Sequence, residues 1–155
     1  MIASDLLVKC LEEEKVEYVF GVPGEENIDF MESLRTSSKI KFILARDEQA
    51  ASFMAATYGR LTGKAGVVLA TLGPGALNLV NGIAFAYLTE IPMVVLTAQN
   101  GVRENVKEND FQYVNIVGMF KEITKWNKSI TASKWLAKSV RQAFKIAEMD
   151  KPGPT

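Results

Sequence analysis

The 155-residue sequence contains no histidine. That absence excludes serine and cysteine triads built on imidazole, histidine-ligated zinc, and any histidine pH switch within the chain. Acid–base chemistry then falls to a carboxylate or to a borrowed group. Cys10 is the single cysteine, so no internal disulfide can form, and a reducing, cytoplasmic compartment is expected. Positive charge is not in excess, because 18 Lys and Arg balance 18 Asp and Glu. Without it there is no counterion release to drive binding to DNA or RNA, and a nucleic-acid partner is not expected. No apolar run reaches the roughly 20 residues of a membrane span, so no membrane partner is expected either. The N-terminus lacks a basic, apolar, small-residue signal pattern.

Hydrophobic residues make up 48% of the chain and charged residues 23%, the composition of an ordinary soluble domain able to bury a sizeable core. One domain over residues 1–155 is expected. Short β-rich runs alternate with longer helical patterns, which predicts an α/β fold: a doubly wound, mostly parallel sheet with helices on both faces. Ser4 is the expected cap of a first helix bearing Leu6, Leu7, Cys10 and Leu11 on one face, with Cys10 read as a small core residue. Strands are predicted at 16–22, 40–45, 65–72, 93–99 and 123–130. Helices are predicted around Ile28 to Leu34, from Asp47 to Thr62 with Gly63 as the stop, from Ala76 to Leu88, as a short turn at 110–119, and from near Ser133. Residues 100–110 read as a polar connection. The last helix carries Lys134, Lys138, Arg141 and Lys145 on one stripe and Leu136, Val140, Ala143 and Ala147 on another, most simply a solvated face and a core face. The closing Lys151-Pro152-Gly153-Pro154-Thr155 reads as the turn before a further strand, as in a domain excised from a longer chain.

The unusual residues fall at the C-terminal ends of predicted strands: Gly21-Val22-Pro23-Gly24-Glu25, Arg46-Asp47-Glu48-Gln49, Gly73-Pro74-Gly75 and Ala98-Gln99-Asn100-Gly101. In open α/β sheets ligands bind at that edge, at the topological switch point, so one shared site is expected. Gly73 to Asn78 superficially resembles a dinucleotide fingerprint. Pro74 removes a backbone N–H, however, position 78 is Asn, and no acidic residue ends the next strand to hold a ribose. Gly-Pro-Gly suits a flat ligand lying against the backbone, or is merely a tight turn. Glu48 stands in the first turn of a helix, where the dipole alone favours an acid.

Three stretches together resemble the N-terminal, pyrimidine-binding domain of thiamine-diphosphate enzymes of the acetolactate synthase type. They are FGVPGEEN (Phe20 to Asn27), ARDEQAASFMAATYGRLTGKAGVVLATLGPGALNLVNGIAFAY (Ala45 to Tyr87) and IPMVVLTAQ (Ile91 to Gln99). The likeness extends through DFQYVNIVGMFKEITKW (Asp110 to Trp126) to the closing KPGPT. It implies thiamine diphosphate as cofactor and Glu48 as the catalytic glutamate. In that family the matching glutamate hydrogen-bonds N1′ of the aminopyrimidine and promotes the imino tautomer, whose nitrogen removes the thiazolium C2 proton. A 2-ketoacid such as pyruvate is then attacked and decarboxylated, and a second ketoacid is added. By the same resemblance Pro23, Gly24, Thr71, Gly73, Pro74, Gly75 and Asn78 belong to the cofactor's surroundings. Phe111 and Gln112 match residues that border the substrate pocket.

The chain departs from the family pattern where Asp47 stands in place of the usual histidine, and where Glu25 and Glu26 follow Pro-Gly. A carboxylate at 47 is expected to repel charge on Glu48 or to point into solvent. The family holds the diphosphate and Mg²⁺ with a separate C-terminal domain bearing a Gly-Asp-Gly motif and an asparagine pair, and nothing similar occurs in this sequence. No metal ligands are therefore assigned here. The family's site forms between subunits, so the resemblance implies a homo-oligomer, with this chain inactive alone as half a site, and allows FAD in a full-length parent. A ketoacid decarboxylase or other carboligase of the same family stands as the alternative, as does a non-catalytic ligand-binding or regulatory module on the same fold.

Overall fold

The computed structural model describes residues 2–99 and 111–155. Helix α1 (Ala3–Glu13) leads to strand β1 (Tyr18–Gly21), a 3-10 turn at Glu25–Asn27, α2 (Ile28–Arg35) and β2 (Lys41–Leu44). Next come α3 (Glu48–Thr62), β3 (Gly66–Ala70), α4 (Gly73–Leu77), α5 (Val80–Leu88) and β4 (Met93–Thr97), then α6 (Ile116–Phe120) and α7 (Leu136–Glu148). The four strands form one sheet in the order β2-β1-β3-β4, and every pairing is parallel. The expected doubly wound α/β architecture is thus the observed one.

The sheet separates two cores because side chains alternate along a strand. From β3, Val67 and Leu69 join Val8 and Leu11 of α1, Phe30 and Leu34 of α2, and Val140, Phe144 and Ala147 of α7. Val68 and Ala70 face the other way, against Ala51, Ala55 and Ala56 of α3 and Ile83 and Ala86 of α5. Every residue of β3 is buried, as a strand covered on both faces requires. Helix α3 ends at Gly63, whose φ of +71° makes it the left-handed cap. Cys10 packs against the first core. Burial, reinforced by Glu14 and Glu13, pushes its thiol above the ordinary range, the setting of an inert cysteine. No helix among the described residues is long and apolar enough to cross a membrane.

Four expectations are corrected. The N-cap of α1 is Ile2, not Ser4. Ser4 lies inside the helix, and its hydroxyl and the Asp5 carboxylate each sit 2.9 Å from Ser33 Oγ, so Ser4 ties α1 to α2. Residues 76–88 form two helices rather than one, since α4 already begins at Gly73 and a break at Asn78 and Leu79 precedes α5. The short helix expected at 110–119 is α6, capped by Asn115 Oδ1 on Gly118 N at 2.9 Å.

The fourth correction concerns the strand expected at 123–130. That stretch leaves a 3-10 turn at Lys121–Ile123 and pairs with no strand. The place beside β4 belongs to the chain after α7, where Pro154 bridges Met93 in parallel. Thr155 N donates to Met93 O at 2.9 Å, and Val95 N donates to Thr155 O at 2.8 Å. Lys125 braces this arrangement. Its backbone N–H donates to Pro154 O, and its ammonium donates to the Ile146 and Met149 carbonyls at the end of α7. The basic stripe of α7 is solvated as expected, with Arg141 paired to Glu14 at 3.0 Å, while Val140, Ala143 and Ala147 are buried.

Candidate functional site

Parallel strands end together, so the segments after β1, β2 and β3 open on one edge of the sheet. The connection after β1 runs to β2 on one side, whereas the connection after β3 runs to β4 on the other. The two central strands therefore diverge in their connections, which leaves a crevice between the segments after β1 and β3. Gly24 stands on one wall and Thr71 on the other. A Cβ at Gly24 would come 2.2 Å from Thr71 Cγ2, so only glycine permits this approach. Asn27 holds the loop after β1: its Oδ1 accepts from Gly24 N at 3.0 Å, and its backbone N–H donates to Gly24 O at 3.2 Å. Asn27 is buried, and its Nδ2 has no partner among the described residues.

Glu48 enters the crevice from α3. It is the first residue of that helix and is half-buried, and the positive end of the helix favours its negative charge. Oε2 accepts from Asn78 Nδ2 at 3.0 Å. Oε1 faces Gly75, where a Cβ would lie 3.2 Å from it and 2.5 Å from Thr71 Oγ1. The bare backbone of Gly75 thus packs closely against both Thr71 and the carboxylate. Gly73, with φ of +49°, carries no side chain where a Cβ would meet Gln112 O at 2.2 Å. That close approach brings the segment of Phe111 and Gln112 onto the start of α4. Phe111 is 86% exposed. Pro74 lies in the first turn of α4, and Pro23 is exposed beside Gly24.

Of the expected site residues, contacts bring together Glu48 with Asn78 and Gly75, Thr71 with Gly24 and Gly75, and Gly73 with Gln112, while no contact ties Pro23 or Phe111 to them. Asn78 touches the carboxylate of Glu48 and is not merely the next residue along a cradle. Asp47 is exposed, and its carboxylate is engaged by the backbone. It is the N-cap of α3, with Oδ1 accepting from Ala50 N at 2.7 Å. Two residues were missed. Asn27 was signalled by its spacing of three from Gly24 at the start of a helical turn, a capping pattern. Asn81, whose Nδ2 donates to Gln49 Oε1 at 2.6 Å, carries no such local signal. Asn100 and Gly101 of the fourth loop lie outside the described residues, while Gln99 Nε2 donates to Val114 O at 3.1 Å.

Among the described residues, no three His, Cys, Asp or Glu side chains gather as a metal-ligating cluster. A groove of about 110 Å³ lies elsewhere, along the outer edge of β4 between Leu96, Trp126, Ile130 and Ser139. Its lining is mostly apolar with polar groups from Thr124, Asn127 and Ser139, and none of the crevice residues borders it.

Residues 1–121 match the thiamine pyrophosphate enzyme family, N-terminal TPP binding domain. The chain belongs to this family. This TPP-binding domain is 39% identical to the acetolactate synthase large subunit of Haemophilus influenzae over 97% of its own length. It is 42% identical over 99% of its length to a probable acetolactate synthase large subunit of Methanococcus aeolicus. To the chloroplastic acetolactate synthase of Arabidopsis thaliana it is 38% identical over 97% of its length. The domain spans 26%, 25% and 22% of these relatives, about a quarter of each.

Gly24 and Gly75 present bare backbone toward Thr71, and the half-buried Glu48 lies beside Gly75.

Proposed function

We propose that this domain is the aminopyrimidine-binding half of a thiamine-diphosphate-dependent, acetolactate synthase-like site that decarboxylates and joins 2-ketoacids such as pyruvate. The observation that carries the reading is the position of Glu48 Oε1, beside the bare backbone of Gly75 and close to Thr71. Bound there, the cofactor supplies a thiazolium carbon that becomes a nucleophile toward the ketoacid carbonyl. Gly24, Thr71 and Gly75 would line the cofactor ring. Glu48 holds a proton against the ring nitrogen and takes it back, the general acid–base work left to a carboxylate in a chain without histidine. Phe111 and Gln112 border the ketoacid.

The diphosphate and Mg²⁺ fall, on this reading, to a separate domain carried by a second subunit, so that the working unit is a homo-oligomer. The lone, inert Cys10 agrees with a cytoplasmic, reducing compartment.

Glu48→Gln in the assembled enzyme tests the reading. Glutamine preserves size and one hydrogen bond but cannot exchange the proton. Exchange of the cofactor C2 proton, followed by NMR with saturating cofactor, should fall by roughly 10²- to 10⁴-fold while cofactor affinity changes little. That loss corresponds to about 3 to 5 kcal/mol of barrier. Exchange at the wild-type rate would reduce Glu48 to a helix-terminal acid and remove the proposal.

A further inference from the structure

We propose that Asn78 is the positioning residue for Glu48, holding the carboxyl group by Oε2 so that any proton it carries sits on Oε1, the oxygen facing the crevice. The inference rests on the reading of Glu48 as the proton-holding group. It adds how one of two chemically equivalent oxygens is selected.

A glutamate side chain has three rotatable bonds, and a place in the first turn of a helix does not by itself fix where its carboxylate points. Among the described residues, the hydrogen bond from Asn78 Nδ2 at 3.0 Å is the one made to that carboxylate. The two oxygens consequently have different neighbours: Oε2 meets the amide, and Oε1 lies beside the bare backbone of Gly75 on the Thr71 side. Gly75 and Asn78 lie three residues apart, on one face of the same turn. The backbone of one therefore forms a floor beneath the carboxyl group while the side chain of the other holds its flank.

The chemistry of the donor matters as much as its place. In the orientation that presents its NH₂ to Glu48, Asn78 only donates, so Oε2 cannot carry a proton toward it and keep the bond. If Glu48 is ionised, Oε2 accepts as a carboxylate oxygen. If Glu48 is protonated, Oε2 accepts as the carbonyl oxygen, provided the proton is on Oε1. The grip survives both states and confines the proton to the crevice side. A lysine or arginine at 78 would instead pin the ionised form with a full positive charge. Neutral asparagine orients the group without neutralising it.

Asn78 is itself held firmly. Its backbone N–H donates to Pro74 O at 3.1 Å, and Leu79, the next residue, is fully buried. The break between α4 and α5 at these two residues turns the amide toward α3. One turn further on, Asn81 Nδ2 reaches Gln49 Oε1 at 2.6 Å. This second brace fixes α5 against the first turn of α3 without touching Glu48. Register therefore does not depend on the Asn78 contact, which is left to act on Glu48 alone.

The test has a readout that needs no cofactor. In the isotopically labelled chain, three-bond couplings should report one Glu48 rotamer in the wild type. They should report averaged rotamers in Asn78→Ala and in the isosteric Asn78→Asp, whose carboxylate has no hydrogen to donate. Asn81→Ala, which removes the neighbouring brace, should leave the Glu48 couplings as in the wild type. In the assembled enzyme, Asn78→Ala should slow C2 proton exchange roughly ten- to hundredfold, the scale of a misplaced catalytic group, with thiamine diphosphate affinity nearly unchanged. A Glu48 rotamer still fixed in both Asn78 variants overturns the assignment, as does equal averaging in Asn81→Ala. Failure of the underlying reading looks different: Glu48→Gln itself would leave C2 exchange untouched.

Discussion

The side chain of Asp47 stands one residue from Glu48, yet its Oδ1 is engaged by Ala50 N at 2.7 Å. Its work is to close the first turn of the helix that carries the site's carboxylate. Asp47→Ala should therefore lower stability by about 1 kcal/mol, whereas Asp47→Asn, an equally good cap, should cost only a few tenths. Urea denaturation of the two variants separates the outcomes, and a loss in the asparagine variant equal to that in the alanine variant would contradict the capping role. The cap was legible, because an aspartate directly before a helical run is a standard N-terminal signal. The contact between Asn78 and Glu48 was not legible. It joins residues thirty positions apart and depends on a helix break at Asn78 and Leu79 that no glycine or proline at those positions announces.

At the scale of elements, the crevice is governed by how closely the segment after β1 approaches the segment after β3. A Cβ at Gly24 would strike Thr71 Cγ2 at 2.2 Å, while Thr71 Cβ lies at an ordinary 3.5 Å. Gly24→Ala should therefore destabilise the fold by about 1 to 3 kcal/mol, the usual cost of overpacking. Adding Thr71→Ser, which deletes the clashing methyl and keeps the hydroxyl, should recover most of that loss. A denaturation double-mutant cycle measures the coupling directly, and additive effects would show that the two segments do not bear on each other. The four strands were legible because β-branched apolar runs alternate with helical periods. The segment 123–130 was misread for a topological reason. A parallel neighbour for β4 must be reached by a crossover that returns to the starting edge of the sheet. Helix α7 provides that return, so the residues after it, Pro154 and Thr155, take the position.

For the whole molecule, α3 and α5 expose several large apolar side chains beside Arg60, whose guanidinium lies over the Phe85 ring. Leu61 is 80% and Leu88 79% exposed, and the Phe53 and Phe85 rings pack 5.4 Å apart on the same side. A surface of this kind favours association, and a homo-oligomer follows from the proposed function. Sedimentation of the chain should show an average mass that rises with concentration. Leu61→Asp combined with Leu88→Asp should hold it at the monomer, with little effect on stability because both side chains lie outside the core. A wild-type chain that stays monomeric at high concentration would count against this face as an interface. Neither the pairing of those rings nor the extent of the face could be read from the sequence, since both depend on how α5 settles against α3.

The crevice draws on Gly24, Glu48, Thr71 and Asn78, which meet only when β1 lies between β2 and β3. A denatured chain holds these groups far apart and offers a ligand nothing. Occupancy and folding are thereby linked. A ligand present at a hundred times its dissociation constant adds about 2.7 kcal/mol to the native state. The junction between the two central strands thus serves as a keystone position, where filling the gap tightens the arch around it and slows every opening that would expose the chain to proteases.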